Sequence, residues 1–217
     1  MSSIELDIVN KTLSLVAKRG SGKSVLLKYL VEKNLEHFEK VFVICPTEEV
    51  NSFYAGITED NCIFSEWRED WASALIQRMT TQNKGKSKEE RKNVLLILDD
   101  CMADTNFHQS KTMKILFSRS RHINISIFCT CQYLHNLPPL CRNNMDWVMV
   151  GQMNKQSQSL LCDEYMSGEI EKTDFIKLYN RATKDYSFLI INNTSIKDND
   201  DLNQIYGIIK CPEDYVV

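Results

Sequence analysis

The feature that most limits the possible folds is a glycine-rich turn between a short apolar segment and an amphipathic one. Residues 13–16 read as a buried strand, and residues 22–36 carry apolar side chains at helical spacing. Between them, Gly20 and Gly22 provide the backbone freedom that a tight turn requires. A strand, a turn and a helix in this order form the unit from which parallel α/β sheets are built.

The same alternation continues along most of the chain. It predicts further strands at residues 41–45, 62–64, 94–98, 125–130, 147–150 and 188–191, and helices at residues 70–82, 109–119 and 155–179, with Asp70 capping the first of these helices. Residues 94–98 are apolar at every position, as in a central strand buried on both faces. We therefore predict one α/β domain over residues 1–217, with a mostly parallel central sheet flanked by helices, and a loosely held C-terminal tail over residues 197–217.

Composition narrows the class of protein further. The 217 residues are 43% hydrophobic and 25% charged, which is ordinary for a globular domain with a core of useful size. No apolar run approaches the length of a membrane span, and the first residues lack the pattern of a signal peptide. Of the eight cysteines, Cys45, Cys129 and Cys131 lie in or beside apolar runs, without zinc-ligand spacing. We expect free, buried thiols in a reducing compartment.

The overall charge does not indicate binding to nucleic acid. The formal net charge is −3, whereas a monomer that held DNA by its bulk charge would be basic. Either nucleic acid is not a partner, or it contacts a local basic strip that oligomerisation repeats. The densest such strip lies in a polar loop and comprises Lys84, Lys86, Lys88, Arg91 and Lys92. Loops rich in serine and lysine are mostly solvated surface loops, so this is the favoured interpretation of the strip, and composition leaves binding to nucleic acid open.

The glycine-rich turn itself reads as a phosphate-binding loop. Residues 17–24, Ala17-Lys18-Arg19-Gly20-Ser21-Gly22-Lys23-Ser24, match the pattern G-x-x-x-x-G-K-[ST] except at Ala17, which is acceptable if its φ is negative. In such loops the backbone N–H groups wrap the phosphates, the lysine reaches the β- and γ-oxygens, and the hydroxyl binds magnesium. We therefore expect ATP and Mg²⁺ as cofactors, with a nucleotide-binding set of Arg19, Gly20, Ser21, Gly22, Lys23 and Ser24.

Two acidic residues and one amide complete the predicted site. Asp99 and Asp100 end the apolar strand at residues 94–98, where an acid helps to hold magnesium. We assign Asp99, with Ser24, to the metal, and Asp100 to general-base activation of water. Gln132 follows the next strand, at the carboxyl edge where ligands bind in open α/β sheets. There it could orient the water or sense the γ-phosphate.

The motifs together resemble those of the poxvirus-type genome-packaging ATPases of large DNA viruses and virophages, within the FtsK–HerA superfamily. The shared segments are residues 20–24, 95–100, 120–126 (Ser-Arg-His-Ile-Asn-Ile-Ser), Gln132 and 137–144 (Leu-Pro-Pro-Leu-Cys-Arg-Asn-Asn), within a resemblance that spans residues 13–150. It implies a P-loop NTPase fold of the additional-strand type with a RecA-like core. It also implies a pentameric or hexameric ring that hydrolyses ATP to drive double-stranded DNA into a preformed capsid.

The resemblance also implies partners and further site residues. Ring ATPases complete each site with an arginine from the neighbouring subunit, and by position Arg121 and Arg142 are the candidates; a surface ion pair is the alternative for each. Viral capsid or packaging-vertex proteins are the implied partners. The implied location is the cytoplasm of the infected host cell, in viral factories, and the virion. If the basic loop lines the ring channel, its copies would form a positive collar for DNA phosphates.

Three other functions remain open at this point. A helicase or conjugative translocase of the same superfamily would share the motor, although such proteins usually carry additional domains. A nucleotide or metabolite kinase would need an acceptor pocket and commonly an arginine-rich lid, whereas Asp100 with Gln132 favours water as the acceptor. A nucleotide-gated switch or scaffold would bind the nucleotide without turning it over. ATPase rate with and without double-stranded DNA, with the oligomer mass, separates these functions.

Overall fold

The computed structural model describes residues 6–48, 52–101, 107, 109–196 and 201–212. Its strands are β1 Thr12–Val16, β2 Lys40–Ile44, β3 Ile63–Phe64, β4 Val94–Leu98, β5 Ile125–Cys131, β6 Trp147–Val150, β7 Ser187–Asn192 and β8 Tyr206–Lys210. Its helices are α1 Lys23–Glu32, α2 Glu69–Asn83, α3 Lys111–Arg119, α4 Pro139–Asn143, α5 Lys155–Tyr165, α6 Lys172–Ala182 and α7 Leu202–Ile205.

The strands form one sheet in the order β3-β2-β4-β5-β1-β6-β7-β8. The first six strands in this order, from β3 to β6, are parallel to one another. Strand β7 then runs antiparallel to both β6 and β8. Strand β5 lies between β1 and β4, and so separates the strand before the glycine-rich turn from the strand before Asp99. The mostly parallel sheet and the additional strand are those the sequence and its resemblance predicted.

Strand β4 is buried on both faces because helices cover both sides of the sheet. Leu96 and Leu98 pack into the layer that contains side chains of α2, α3, α5 and α6, while Leu95 and Ile97 pack into the layer that contains the apolar side chains of α1. Side chains alternate between the faces of a strand, so a strand between two apolar layers has to be apolar throughout. This explains the continuous apolar run that precedes the acidic pair.

Two helix predictions differ from the structure. The stretch predicted as one helix over residues 155–179 is two helices, α5 and α6, separated at residues 166–171. Met166 is extended, and the buried backbone N–H of Ser167 donates to the Tyr206 hydroxyl at 2.7 Å. Helix α2 begins one residue before Asp70, and Arg68 is its N-cap. Asp70 therefore lies in the first turn, where its charge favours the helix dipole but does not cap the helix.

The C-terminal segment contributes a strand that periodicity did not predict. We expected a loose tail from residue 197, but residues 201–212 include α7 and β8, and β8 pairs with β7 along its length. Tyr206 is buried, and Cys211 donates its backbone N–H to the Tyr186 carbonyl at 3.0 Å. The pairing partner is distant in sequence, which is why the local pattern did not reveal it. Residues 197–200 and 213–217 lie outside the described residues.

Two expectations from composition can also be compared with the structure. All eight cysteines are free and buried, as expected. Within the described ranges, no helix combines the length and apolar character that crossing a bilayer would require.

Candidate nucleotide-binding site

The glycine-rich turn joins the end of β1 to the start of α1 and has the backbone that its glycines predicted. Gly20 and Gly22 have φ values of 73° and 86°, in the left-handed region that favours glycine. Gly22 is the N-cap of α1, and no side chain in the described part of the chain caps the helix there. The first N–H groups of α1 are therefore not capped by a side chain of the described residues, and an anion at the start of the helix can accept from them.

Ala17 meets the condition set for it in the sequence. Its φ is negative, and its side chain is buried. A Cβ added to Gly151, just after β6, would come within 2.8 Å of the Ala17 Cβ and 3.0 Å of Phe188 Cε1. The methyl group at position 17 is thus accommodated because the residue that follows the neighbouring strand is a glycine.

Lys23 already points into the turn. Its Nζ donates to the carbonyl of Ala17 at 2.8 Å and to that of Lys18 at 3.3 Å. Burial lowers the pKa of Lys23, and the nearby Asp100 carboxylate opposes that shift. A phosphate oxygen could replace these carbonyls as the acceptor without moving the lysine out of the loop.

Asp99 is buried and held through both carboxylate oxygens. The hydroxyl of Tyr54 donates to its Oδ2 at 2.8 Å, and the hydroxyl of Thr130 donates to its Oδ1. Burial and the neighbouring Asp99 charge raise the pKa of Tyr54 well above its usual value, so this hydroxyl remains a donor. The sequence analysis did not identify either donor. Tyr54 lies in a loop without a motif, whereas Thr130 could have been found as a polar residue near the end of an otherwise apolar strand.

Asp100 faces the opposite way, toward solvent. It has a φ of 53°, its N–H donates to the Thr130 hydroxyl at 3.1 Å, and its Oδ2 accepts from Gln132 Nε2 at 3.1 Å. Thr130 thus links the two acids, bonding the side chain of Asp99 and the backbone of Asp100. The sequence predicted only that Gln132 lies at the carboxyl edge of the sheet; its hydrogen bond to Asp100 is a finding of the structure.

One cavity of about 540 Å³ brings most of the predicted residues together. Its lining contains all six predicted nucleotide-binding residues together with Asp100 and Gln132. Two further lining residues, Val25 and Thr47, were not predicted from the sequence. The complete lining is Arg19, Gly20, Ser21, Gly22, Lys23, Ser24, Val25, Thr47, Asp100 and Gln132. The arrangement places a cation, a row of helix N–H groups and a carboxylate–amide pair around one space, as transfer of a phosphoryl group requires.

The oxygen groups here suit a hard divalent cation. Ser24 and Asp100 line the same cavity, and Asp99, which precedes Asp100 in the chain, is not part of the lining. Asp99 Oδ2 accepts from both Tyr54 and the Cys45 thiol, whereas Oδ1 accepts from Thr130 and retains a second lone pair for a cation. Hydroxyl and carboxylate oxygens are the ligands that magnesium prefers.

The relation to known proteins follows from the whole chain. Residues 5–206 match the family model described as Poxvirus A32 protein. The chain belongs to this family. Protein 015R of Frog virus 3 (isolate Goorha) is 26% identical over 197 residues, covering 91% of this chain and 61% of the relative. Protein 075L of Invertebrate iridescent virus 6 is 31% identical over 187 residues, covering 85% and 70%. The chain thus spans less than two thirds of the frog virus protein.

A solved structure shares the fold of this A32-family chain. The genome packaging NTPase B204 from Sulfolobus turreted icosahedral virus 2, in complex with ATP-gammaS, superposes with a TM-score of 0.65 at 16% identity. The superposition covers 92% of this chain and 96% of B204. At this identity the likeness concerns the fold alone.

Arg121, the first arginine implied by the A32-type resemblance, lies far from the cavity of its own subunit. It belongs to a 3₁₀ turn, Ser120–Ile123, before the amino end of β5, whereas Gln132 follows the carboxyl end. Seven strand residues separate these ends by roughly 23 Å. Its side chain is 52% exposed and pairs with Asp146 Oδ1 at 3.4 Å. Arg121 could therefore act only on the site of another subunit.

Arg142 occupies a different environment from the one we expected. Its side chain is only 10% exposed; its Nε donates to Glu164 Oε2 at 2.5 Å and its Nη1 to the Leu137 carbonyl at 2.6 Å. These contacts join α4 to α5 and to the chain before α4. Reaching a neighbouring subunit would require breaking both contacts, which makes Arg142 the weaker candidate of the two.

The basic strip lies between α2 and β4, at the amino edge of the sheet. Asn83 holds the base of this loop: it donates to the Lys92 carbonyl at 2.9 Å and accepts from the Lys92 N–H at 2.8 Å. Lys84, Lys88 and Lys92 are exposed, while Lys86 and Arg91 are half-buried. The strip and Arg121 thus share the edge opposite the nucleotide cavity.

Proposed function

We propose that this chain is the subunit of an ATP-hydrolysing ring that moves double-stranded viral DNA into a preformed capsid. The observation that carries the proposal is the convergence of Lys23, Asp100 and Gln132 on one cavity at the carboxyl edge of the sheet. Membership of the A32 family and the fold shared with the packaging NTPase B204 support it.

The residues around the cavity have separable roles in hydrolysis. The N–H groups at the start of α1 and the ammonium of Lys23 would hold the β- and γ-phosphates. Asp100 would accept the proton of the attacking water, while Gln132, bonded to the same carboxylate, would fix the direction of that proton transfer. Both side chains must be held in position if water, and not another molecule, is to accept the γ-phosphoryl group.

Ser24 and Asp99 would hold Mg²⁺, which neutralises phosphate charge when bound. Thr130 and Tyr54 keep the Asp99 carboxylate in one orientation, so this acid needs little reorganisation when the cation binds. The two adjacent acids thereby have different tasks, because one is buried and fixed and the other faces the cavity.

Ring formation would add an arginine from a neighbouring subunit to a cavity that Arg19 of the same chain already lines. We propose a pentamer or hexamer in which Arg121 of one subunit stabilises transition-state charge in the site of its neighbour. The basic strip of residues 84–92 would contact DNA phosphates, and its repetition around a ring would offset the acidic net charge of each chain. Capsid or packaging-vertex proteins would dock the ring in the cytoplasm of the infected cell.

The decisive experiment measures ATPase rate with and without double-stranded DNA, alongside the oligomer mass by light scattering. We expect DNA-stimulated hydrolysis that falls at least 100-fold, on the order of the loss of a principal phosphate contact, in Lys23→Ala and in Asp100→Asn. Lys28→Ala, on the outer part of the same helix, is the matched control. A folded wild type without hydrolysis, or a Lys23→Ala variant with an unchanged rate, would overturn the proposal.

A further inference from the structure

A second cavity, of about 270 Å³, lies directly beside the one that contains Lys23. Gly20 and Ser21 line both cavities, so the glycine-rich turn forms a shared wall. The opposite wall comes from the turn that precedes β7 and includes Asp185 and Tyr186. A ligand held by its phosphates in the first cavity can therefore extend into the second without leaving the protein surface.

Tyr186 presents an exposed aromatic ring at this position. The residue is 53% exposed. A Cβ placed on Gly22 would lie 3.5 Å from Tyr186 Cδ1 and 3.3 Å from Cys211 Sγ. One edge of the ring thus packs against the N-cap of α1, and the rest of the ring is left for another partner.

The backbone that holds this ring is strained. Asp185 and Tyr186 have consecutive positive φ values of 50° and 58°, a conformation that is unusual for a bulky residue such as tyrosine. The turn is fixed on both sides, because Ser187 donates to the Lys184 carbonyl at 2.9 Å and Cys211 to the Tyr186 carbonyl at 3.0 Å. Strain of this kind persists where the surrounding structure imposes it, often at ligand sites.

We propose that the second cavity, which we name the nucleoside pocket, holds the base and ribose of the nucleotide, with the Tyr186 ring stacked on the base. The proposal rests on the proposed function, since the phosphates must occupy the first cavity. Asp185 would accept a hydrogen bond from an amino group of the base or a hydroxyl of the ribose. Aromatic stacking accepts any base, so Tyr186 would add affinity more than base selectivity.

The test separates nucleoside binding from phosphate binding. Calorimetric titration of the full chain with ADP, and separately with inorganic tripolyphosphate, is compared between wild type, Tyr186→Ala and Tyr186→Phe. Alanine keeps a Cβ at the same positive φ, so the backbone strain is unchanged and only the ring is lost. We expect Tyr186→Ala to weaken ADP binding about tenfold, as the loss of one base–aromatic stack implies, and to leave tripolyphosphate binding unchanged.

Two further variants serve as controls for the titration. Tyr186→Phe retains the ring and should restore the wild-type ADP affinity, while Tyr133→Ala, another exposed tyrosine, controls for removing a surface ring. Unchanged ADP affinity in Tyr186→Ala, or an equal loss for ADP and tripolyphosphate, would overturn the nucleoside pocket and leave the phosphate site standing. If wild type bound neither ligand, the proposed function itself would fail. Thermal denaturation of each variant establishes that the protein under titration is folded.

Discussion

The hydroxyl of Tyr54 donates a 2.8 Å hydrogen bond to Oδ2 of Asp99, and both side chains are buried. The tyrosine comes from the loop after β2, so this bond connects the acidic end of β4 to a segment outside every sequence motif. It fixes a carboxylate that we assign to magnesium, and its loss should affect both folding and hydrolysis.

Removing this hydroxyl by Tyr54→Phe should therefore lower the hydrolysis rate about tenfold with a smaller effect on the KM for ATP. The buried carboxylate would lose a donor, at a cost of about 1–2 kcal/mol in the free energy of unfolding. Tyr165→Phe is the matched control, because the buried Tyr165 hydroxyl donates to the Arg142 carbonyl, away from the acids. If both variants lost the same stability and neither lost activity, Tyr54 would have no role in positioning Asp99.

The contact between Ala17 and Gly151 predicts a coupled pair of substitutions. Gly151→Ala would place a methyl group 2.8 Å from the Ala17 Cβ, and we expect it to destabilise the fold by about 1–3 kcal/mol through overpacking. Ala17→Gly should recover part of this loss in the double variant, because Phe188 still contacts the new group. A double-mutant cycle from urea unfolding measures the coupling. Strictly additive effects would show that the two positions do not compete for space.

The two candidate arginines should behave differently. Arg142→Ala would leave Glu164 and the Leu137 carbonyl without their donor, and we expect a loss of about 2–3 kcal/mol in stability. Arg121→Ala removes the exposed partner of the buried Asp146 carboxylate, which keeps its two donors from Thr12, so we expect a smaller loss of about 1–2 kcal/mol and a chain that still folds. Its hydrolysis rate in the assembled ring should nevertheless fall by about 100-fold or more.

Mixing variants tests whether Arg121 acts on a neighbour. Subunits of Arg121→Ala retain the glycine-rich turn, and subunits of Lys23→Ala retain the arginine, so a mixed ring contains some interfaces with both groups intact. Activity should therefore rise on mixing two inactive variants. Without such recovery, in rings shown by mass to be mixed, Arg121 would not be acting between subunits.

Glu69 makes stability depend on pH at the junction of α2 and α3. Burial raises the pKa of Glu69, but hydrogen bonds from Ser110, Thr112 and Trp67 outweigh this and lower it to about 2. Its Oε1 accepts from the N–H groups of Lys111 and Thr112 in the first turn of α3. Because the folded pKa lies below the unfolded one, the contribution is complete above about pH 4.5 and is lost as pH falls through 2.

Glu69→Gln should accordingly destabilise the protein by about 1 kcal/mol at pH 7, because solvent screens the exposed carboxylate and weakens its interactions. The difference from wild type should shrink as the pH falls below 4.5 and vanish near 2. Denaturant unfolding between pH 7 and pH 2 measures it, with Glu171→Gln, at the start of α6, as the control. A constant difference across this range would mean that the charge of Glu69 contributes nothing.

The local sequence pattern was sufficient to predict the elements whose structure depends on neighbouring residues. The continuous apolar run of β4, the two glycines of the turn and the amphipathic α1 are each dictated by neighbouring residues, so their positions and their order could be predicted. Parallel strands bring their carboxyl ends to one edge, and this general rule predicts that Asp100 and Gln132 lie near Lys23.

Tertiary structure decided what depends on residues far apart in sequence. Strand β8 exists because β7 offers it an edge, the donors that hold Asp99 arrive from different loops and strands, and Ala17 fits because Gly151 lacks a side chain. The burial of Arg142 follows from the packing of α5 against α4, which no local pattern encodes. The sequence determined the glycine-rich turn and its chemistry; the packing of distant segments determined which charged groups face the cavity and which are held inside.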